Sequence, residues 1–221
     1  MKSNGSVIPF FRSHPAGGQR SSLIPLETWV TLCPEVWPNV VTVGKQSGNH
    51  SNVELAKGDP LILWGIKEGT REWTQIDTTF RNVLIYNVPI YQRGYYGYEG
   101  GMRASAFVFE MDGLCICHTG DLGEPFNEDQ LELIGHVDIV LLPVGGGPTM
   151  GPENAKKVVE QLKPKIAVPM HYFSDLTAVE RFIDGPYRVW SLDTNRFTVS
   201  KDTLPQNTEI FLLKVIREGD L

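Results

Sequence analysis

From Val40 onward the chain alternates short apolar runs with polar, glycine-bearing breaks. Runs rich in β-branched and aromatic residues predict strands at Val40–Val43, Leu61–Trp64, Val83–Tyr86, Ala106–Glu110 and Leu114–Cys117. Asp112-Gly113 between the last two reads as a tight hairpin turn, since glycine accepts the positive φ such a turn requires. Beyond this hairpin the period changes. Glu128–Ile134 predicts a short helix with Asn127 as its cap. Pro152–Leu162 predicts an amphipathic helix, with Pro152 in its first turn and Ala155, Val158, Val159 and Leu162 on one face. Leu176–Ile183 predicts a third helix, stopped by Gly185-Pro186. Val137–Val144 and Ile166–Val168 read as buried strands between helices, and Arg188–Leu192, Arg196–Val199 and Glu209–Val215 as closing strands. Strands first, then strands alternating with helices, predict mixed sheets covered by helices.

Residues 1–38 follow no such grammar. Turn formers precede Pro25, Pro34 and Pro38 without a sustained period, and His14 reads as a surface loop residue. Tyr91–Gly101 is aromatic and glycine-rich, and fits a substrate-facing lip and a self-packed surface loop equally well. With no internal repeat, low-complexity tract or composition boundary, the 221 residues read as one domain, 1–221, large enough to bury a core.

Composition narrows the classes. Apolar content of 41% and charged content of 21% are those of an ordinary globular protein. A net charge of −6 and a pI near 5.4 argue against nucleic acid and anionic membrane as partners, leaving a small molecule as the expected one. No window approaches the ~18–20 apolar residues of a membrane span, and Met1–Ser6 is followed by no long apolar core. The expected location is cytoplasmic; oligomeric state is not indicated. Cys115 and Cys117, two apart in an apolar strand, share one face and are expected to be inert buried thiols.

The candidate chemistry sits just after strand-like runs: His50, His118, Asp121 and His171. Each histidine alone also fits a hydrogen-bonded structural role. Jointly, His, Asp and His from separate loops suit the shell of a divalent metal, with water in the remaining position. Gly44-Lys45 followed by Ser47 lacks both the first glycine and the adjacent Ser/Thr of a phosphate-binding P-loop. His136, just past a short helix, reads as part of a C-terminal turn.

Three segments carry a resemblance: Cys117-His118-Thr119-Gly120-Asp121-Leu122-Gly123, Asp138-Ile139-Val140-Leu141-Leu142-Pro143-Val144-Gly145-Gly146-Gly147-Pro148-Thr149-Met150, and Ile166-Ala167-Val168-Pro169-Met170-His171-Tyr172. In order and spacing they resemble the metallo-β-lactamase fold superfamily, more narrowly its small metal-dependent hydrolases near the ascorbate-phosphate lactonase type. The resemblance covers Val40 to Tyr172. It implies an α/β fold, a four-layer αββα sandwich of two mixed β-sheets, with a metal cleft along one edge. The family's opening G-H-x-x-F is not visible in residues 1–38, which are divergent.

The family's H-x-H-x-D-H loop falls on Val41–Asn52, where Lys45, Ser47, Asn49 and His50 stand in the ligand positions. A further family histidine falls on Gln92. The resemblance thus implies that the first metal has lost its private ligands at Lys45, Ser47 and Gln92. The second keeps His50 and His171, with Asn49 as an auxiliary group and Asp121 as the former bridge. A lysine repels a cation unless strongly buried, and hydroxyl and amide groups are weak ligands. Lys45 is therefore expected to pair with Asp121 in place of the missing metal. Two functions follow as expectations. One is a relative with its two-metal site dismantled and no cofactor, holding a small ligand near Lys45 and Arg93. The other is a hydrolase using one zinc or manganese ion held by His50, Asp121 and His171. Asp121 and His118 are its catalytic candidates, His118 as an orienting group or proton carrier, with a structural role equally open.

Overall fold

The computed structural model describes residues 6–7, 37–46, 51–93, 101–172 and 176–214. Its framework is an eight-stranded mixed sheet. In chain order the strands of the protein are β1 (Ser6–Val7), β2 (Val40–Val43), β3 (Leu61–Trp64), β4 (Asp77–Phe80), β5 (Val83–Gln92) and β6 (Met102–Met111). There follow β7 (Leu114–His118), β8 (Ile139–Pro143), β9 (Ile166–Met170), β10 (Arg188–Ser191), β11 (Thr198–Val199) and β12 (Glu209–Leu212). Helices α1 (Glu128–Ile134), α2 (Pro152–Leu162) and α3 (Leu176–Ile183) fall where the sequence pattern places them.

The large sheet runs β10-β12-β9-β8-β7-β6-β5-β4. β4 to β7 form an antiparallel meander, while β7, β8, β9, β12 and β10 are mutually parallel. The change of mode follows from the connections. Tight turns can join only antiparallel neighbours, whereas α1 and α2 supply the crossovers that parallel strands need. Asp112 and Gly113, both at positive φ, make the β6–β7 turn that the Asp-Gly step predicts.

Strand alternation gives the sheet two apolar faces. Cys115, Cys117, Val140 and Leu142 face the helices, packing with Ile134, Val158, Val159 and Phe182. Leu114, Ile116, Ile139 and Leu141 face the other way, with Val168 and Val199. On that second face, Ile85 and Phe107 pack against Val40 and Leu63 of a separate parallel pair, β2–β3. Helices, large sheet and small sheet thus stack in layers, as expected of the metallo-β-lactamase sandwich.

β5 and β6 run furthest beyond what their patterns suggest. β5 continues from Tyr86 through Asn87 and Pro89 to Gln92, and β6 begins at Met102. Pro89 is tolerated because β4 ends its pairing at Asp77–Tyr86, so the missing N–H meets no neighbouring strand there. The extension matters. It carries Gln92, buried and paired in register with Met102, to the end of the sheet where the cleft lies. The three closing strands are shorter than predicted, β10 ending at Ser191, β11 beginning at Thr198 and β12 ending at Leu212. Among the described residues no helix is long and apolar enough to cross a membrane.

Candidate functional site

The strands that end on one edge of the molecule deliver Lys45, Gln92, His118, Asp121 and His171. Lys45 follows β2, in a loop that Ser105 pins from β6. The Ser105 N–H donates to the Gly44 carbonyl at 2.8 Å, and its hydroxyl donates to the Gly65 carbonyl at 3.0 Å. Asn87 Nδ2 in turn donates to Ser105 Oγ at 3.1 Å. Gln46 closes the loop on its outer side, donating to the Ile66 carbonyl at 3.1 Å. The lysine therefore enters the cleft from a fixed base.

Its ammonium group lies 2.5 Å from Asp121 Oδ2 and donates to Gln92 Oε1 at 2.9 Å. Gln92 Nε2 donates to the same Asp121 oxygen at 3.2 Å. The three side chains thus close a ring of charge-assisted contacts. The ring is largely buried: the side chains of Lys45 and Asp121 are 11% and 10% exposed, and Gln92 is 3% exposed. The pairing expected from the sequence is what the geometry contains. It also bears on metal binding. One Asp121 oxygen is engaged by a cation and an amide, and an ammonium beside it opposes a second positive charge. Among the described residues, no three His, Cys, Asp or Glu side chains converge as a metal site. Lys45, Gln92 and Asp121 together do not fit the first metal of a two-metal centre.

Ser47, Asn49 and His50 lie outside the described residues. His171 is described, and its backbone sits at φ 57°, a left-handed conformation unusual for a residue other than glycine. Gly145 makes room for it: a Cβ at position 145 would lie 2.0 Å from the His171 carbonyl oxygen. Buried Thr149 places its hydroxyl 3.5 Å from His171 Nδ1 while donating to the Gly146 carbonyl at 3.0 Å. The Gly-Gly-Gly loop after β8 is thus a bed for the histidine that follows β9.

His118 is exposed at the end of β7, and its Nδ1 accepts the Gly120 N–H at 3.1 Å. That nitrogen is committed to shaping the turn that leads to Asp121. Arg93, expected from the sequence to hold a small anion together with Lys45, has a carboxylate partner of its own. Its Nε donates to Glu124 Oε1 at 2.9 Å. Its own N–H donates to the Pro148 carbonyl at 2.8 Å, and Gly123 N–H to the Tyr91 carbonyl at 2.8 Å. These bonds lock the end of β5 between the 121–124 and 145–150 loops.

A second polar cluster, missed in the sequence, sits at the opposite end of the sheet. Asp138, 2% exposed, accepts from Lys201 Nζ at 3.0 and 3.1 Å and from the Cys115 N–H at 2.9 Å. His136 Nε2 lies 3.0 Å from its Oδ1. Burial would raise the Asp138 carboxyl, but the Cys115 N–H, Lys201 and His136 together hold it below the usual carboxylate range. Lys201 lies 63 residues away in the chain, so no local motif signals the pair.

Residues 18–171 match the family model described as "Beta-lactamase superfamily domain". The chain is 44% identical over 159 residues to an Archaeoglobus fulgidus UPF0173 metal-dependent hydrolase, covering 62% of this chain and 68% of that protein. A Thermococcus onnurineus relative of the same name is 43% identical over 101 residues, 45% of this chain and 43% of that protein. The chain thus spans less than half the length of that relative. Among solved structures, a Thermotoga maritima protein described as a candidate Zn-dependent hydrolase of the metallo-beta-lactamase superfamily aligns with a TM-score of 0.62. It is 28% identical, covering 81% of this chain and 84% of that one. A Parabacteroides distasonis protein aligns with a TM-score of 0.54 at 24% identity over 70% and 75%, which shows the fold alone. With its match beginning at residue 18 and ending on His171, the chain belongs to the beta-lactamase superfamily domain family and has the metallo-β-lactamase fold.

Proposed function

We propose that this chain is a relative of the metal-dependent hydrolases in which Lys45 stands in for the first metal. On this reading the ancestral two-metal hydrolysis is lost, and the cleft holds a small molecule. The observation that carries it is the 2.5 Å contact between Lys45 Nζ and Asp121 Oδ2. A carboxylate that bridges two metals elsewhere in the family has here a covalently tethered cation as its partner. Gln92, in place of a family histidine, accepts from that cation and donates to the carboxylate, so both members of the pair have an additional partner. Removing the metal without such a replacement would leave a poorly solvated carboxylate in the cleft.

The strained backbone of His171 favours a second reading. A left-handed non-glycine residue costs about 1–3 kcal/mol and persists only where its surroundings over-determine it, commonly at a ligand clamp. In that reading His50, Asp121 and His171 hold one divalent metal, zinc or manganese, which would supply a Lewis acid for water activation. His118 then keeps the Asp121 turn in shape through its Nδ1 contact, and Asn49 is an auxiliary group.

Elemental analysis of protein purified without chelator, alongside His50→Ala and His171→Ala, decides between them. Metal well below one equivalent, with unchanged thermal stability on adding zinc or manganese, is the outcome expected of the first reading. Near-stoichiometric metal that both substitutions abolish would establish the second.

A further inference from the structure

We propose that Arg93 and Arg181 form the anion subsite of the cleft, selecting a small ligand with a carboxylate or phosphate head. The inference rests on the reading of the cleft as a ligand site and names the chemistry of its occupant. Lys45 cannot play that part, because its ammonium is committed to Asp121 and Gln92. Adjoining the Gly145–His171 contact lies a cavity of about 380 Å³, within the size range of small-molecule pockets. Arg93 lines it from the end of β5 and Arg181 from α3, with the Gly145-Gly146 backbone between. The cavity adjoins the candidate site through the backbone: Gly145 abuts the His171 carbonyl, and Arg93 follows Gln92 directly.

Two arginines from separate elements thus line one concave space, with Glu153 beside Arg181 in the same lining. Each is held open by a glutamate, Arg93 by Glu124 at 2.9 Å and Arg181 by Glu153 at 3.2 Å. All four side chains are more than half exposed, and pairs of that kind contribute only about 0–1 kcal/mol. An incoming anion therefore displaces either glutamate at small cost. A guanidinium presents its N–H groups as a fork that matches two oxygens of one head group, so the exchange gains geometry as well as charge. Sequence reading found Arg93; Arg181, on a helix far along the chain, carries no local signal of this role.

The test is isothermal titration calorimetry of the full chain, stripped of metal and at low salt, with inorganic phosphate and separately with succinate. Stripping keeps the result independent of whether a metal binds, so failure here is distinguishable from failure of the cation-replacement reading. Saturable binding of at least one anion is expected, weakened about tenfold or more by Arg181→Gln and by Arg93→Gln. Arg181→Lys, which keeps the charge without the fork, should fall between. Glu153→Gln, which frees Arg181, should tighten binding. Arg188→Gln removes the same charge from the outer strand β10 and should leave it unchanged. Saturation by phosphate alone assigns a phosphoryl head, and by succinate alone a carboxylate head. Saturation by neither anion overturns the proposal, as does undiminished binding by Arg181→Gln or an equal loss in Arg188→Gln.

Discussion

The carbonyl oxygen of His171 lies 2.0 Å from where a Cβ on residue 145 would stand, so the two positions are built against each other. Only glycine fits at 145 while His171 keeps its left-handed backbone. Gly145→Ala must shift the β8–α2 loop or the histidine, at a cost of about 1–3 kcal/mol. Gly185→Ala, with open space around its Cβ, should change stability by no more than about 0.5 kcal/mol. Urea denaturation midpoints of the two variants check the contrast.

Ser105 gives a second local prediction. Its hydroxyl is buried and bonded to both the Gly65 carbonyl and Asn87 Nδ2. Ser105→Ala leaves these groups with one partner fewer and should destabilise the fold by about 1–3 kcal/mol. The backbone N–H bond from residue 105 to Gly44 survives the substitution, so hydrogen exchange should rise at the Gly65 amide, which donates to the Val43 carbonyl, more than in α2.

Asp138 makes stability pH-dependent. Its folded carboxyl titrates below the ordinary value of about 3.9, so the ionised form is favoured by folding. That contribution is fully present above the unfolded value and is lost as pH falls through the folded one. Asp138→Asn should therefore be less stable than the parent protein at pH 7, with the gap closing below about pH 4. Thermal melts across that range measure it; a gap independent of pH would contradict the assignment.

The legible and illegible parts of this molecule separate by sequence distance. α1, with its Asn127–Gln130 capping box, and the Asp112-Gly113 turn were readable because their determinants are adjacent residues. The Lys45–Asp121 pair was readable across 76 residues only through a family resemblance that supplied the geometry. The extension of β5 was hidden by Asn87 and Pro89, which look like breakers until the short reach of β4 is known. The charge of Arg93 is visible in the sequence, but Glu124 is set beside it only by the loop bonds around Gly123. Ser105, Asp138 with Lys201, and Arg181 act through tertiary partners that no local pattern announces.

The cysteines offer a chemical check on the core. Cys115 and Cys117 are both buried, as their spacing in the strand implied. Burial pushes the Cys115 thiol up to about 11, with Glu110 and Asp138 adding to the effect, and raises Cys117 as well. Neither supplies much thiolate at pH 8. Iodoacetamide applied to the native protein should leave both unmodified by peptide mass spectrometry, while denatured protein is labelled at both.

Lys45 is proposed as the cation that Asp121 requires. The direct measurement is the unfolding free energy of Lys45→Ala against the parent protein, both in excess chelator. Losing the ammonium strands a buried carboxylate, and a loss of about 3–5 kcal/mol is predicted. Stability unchanged by Lys45→Ala in the absence of metal would contradict the replacement.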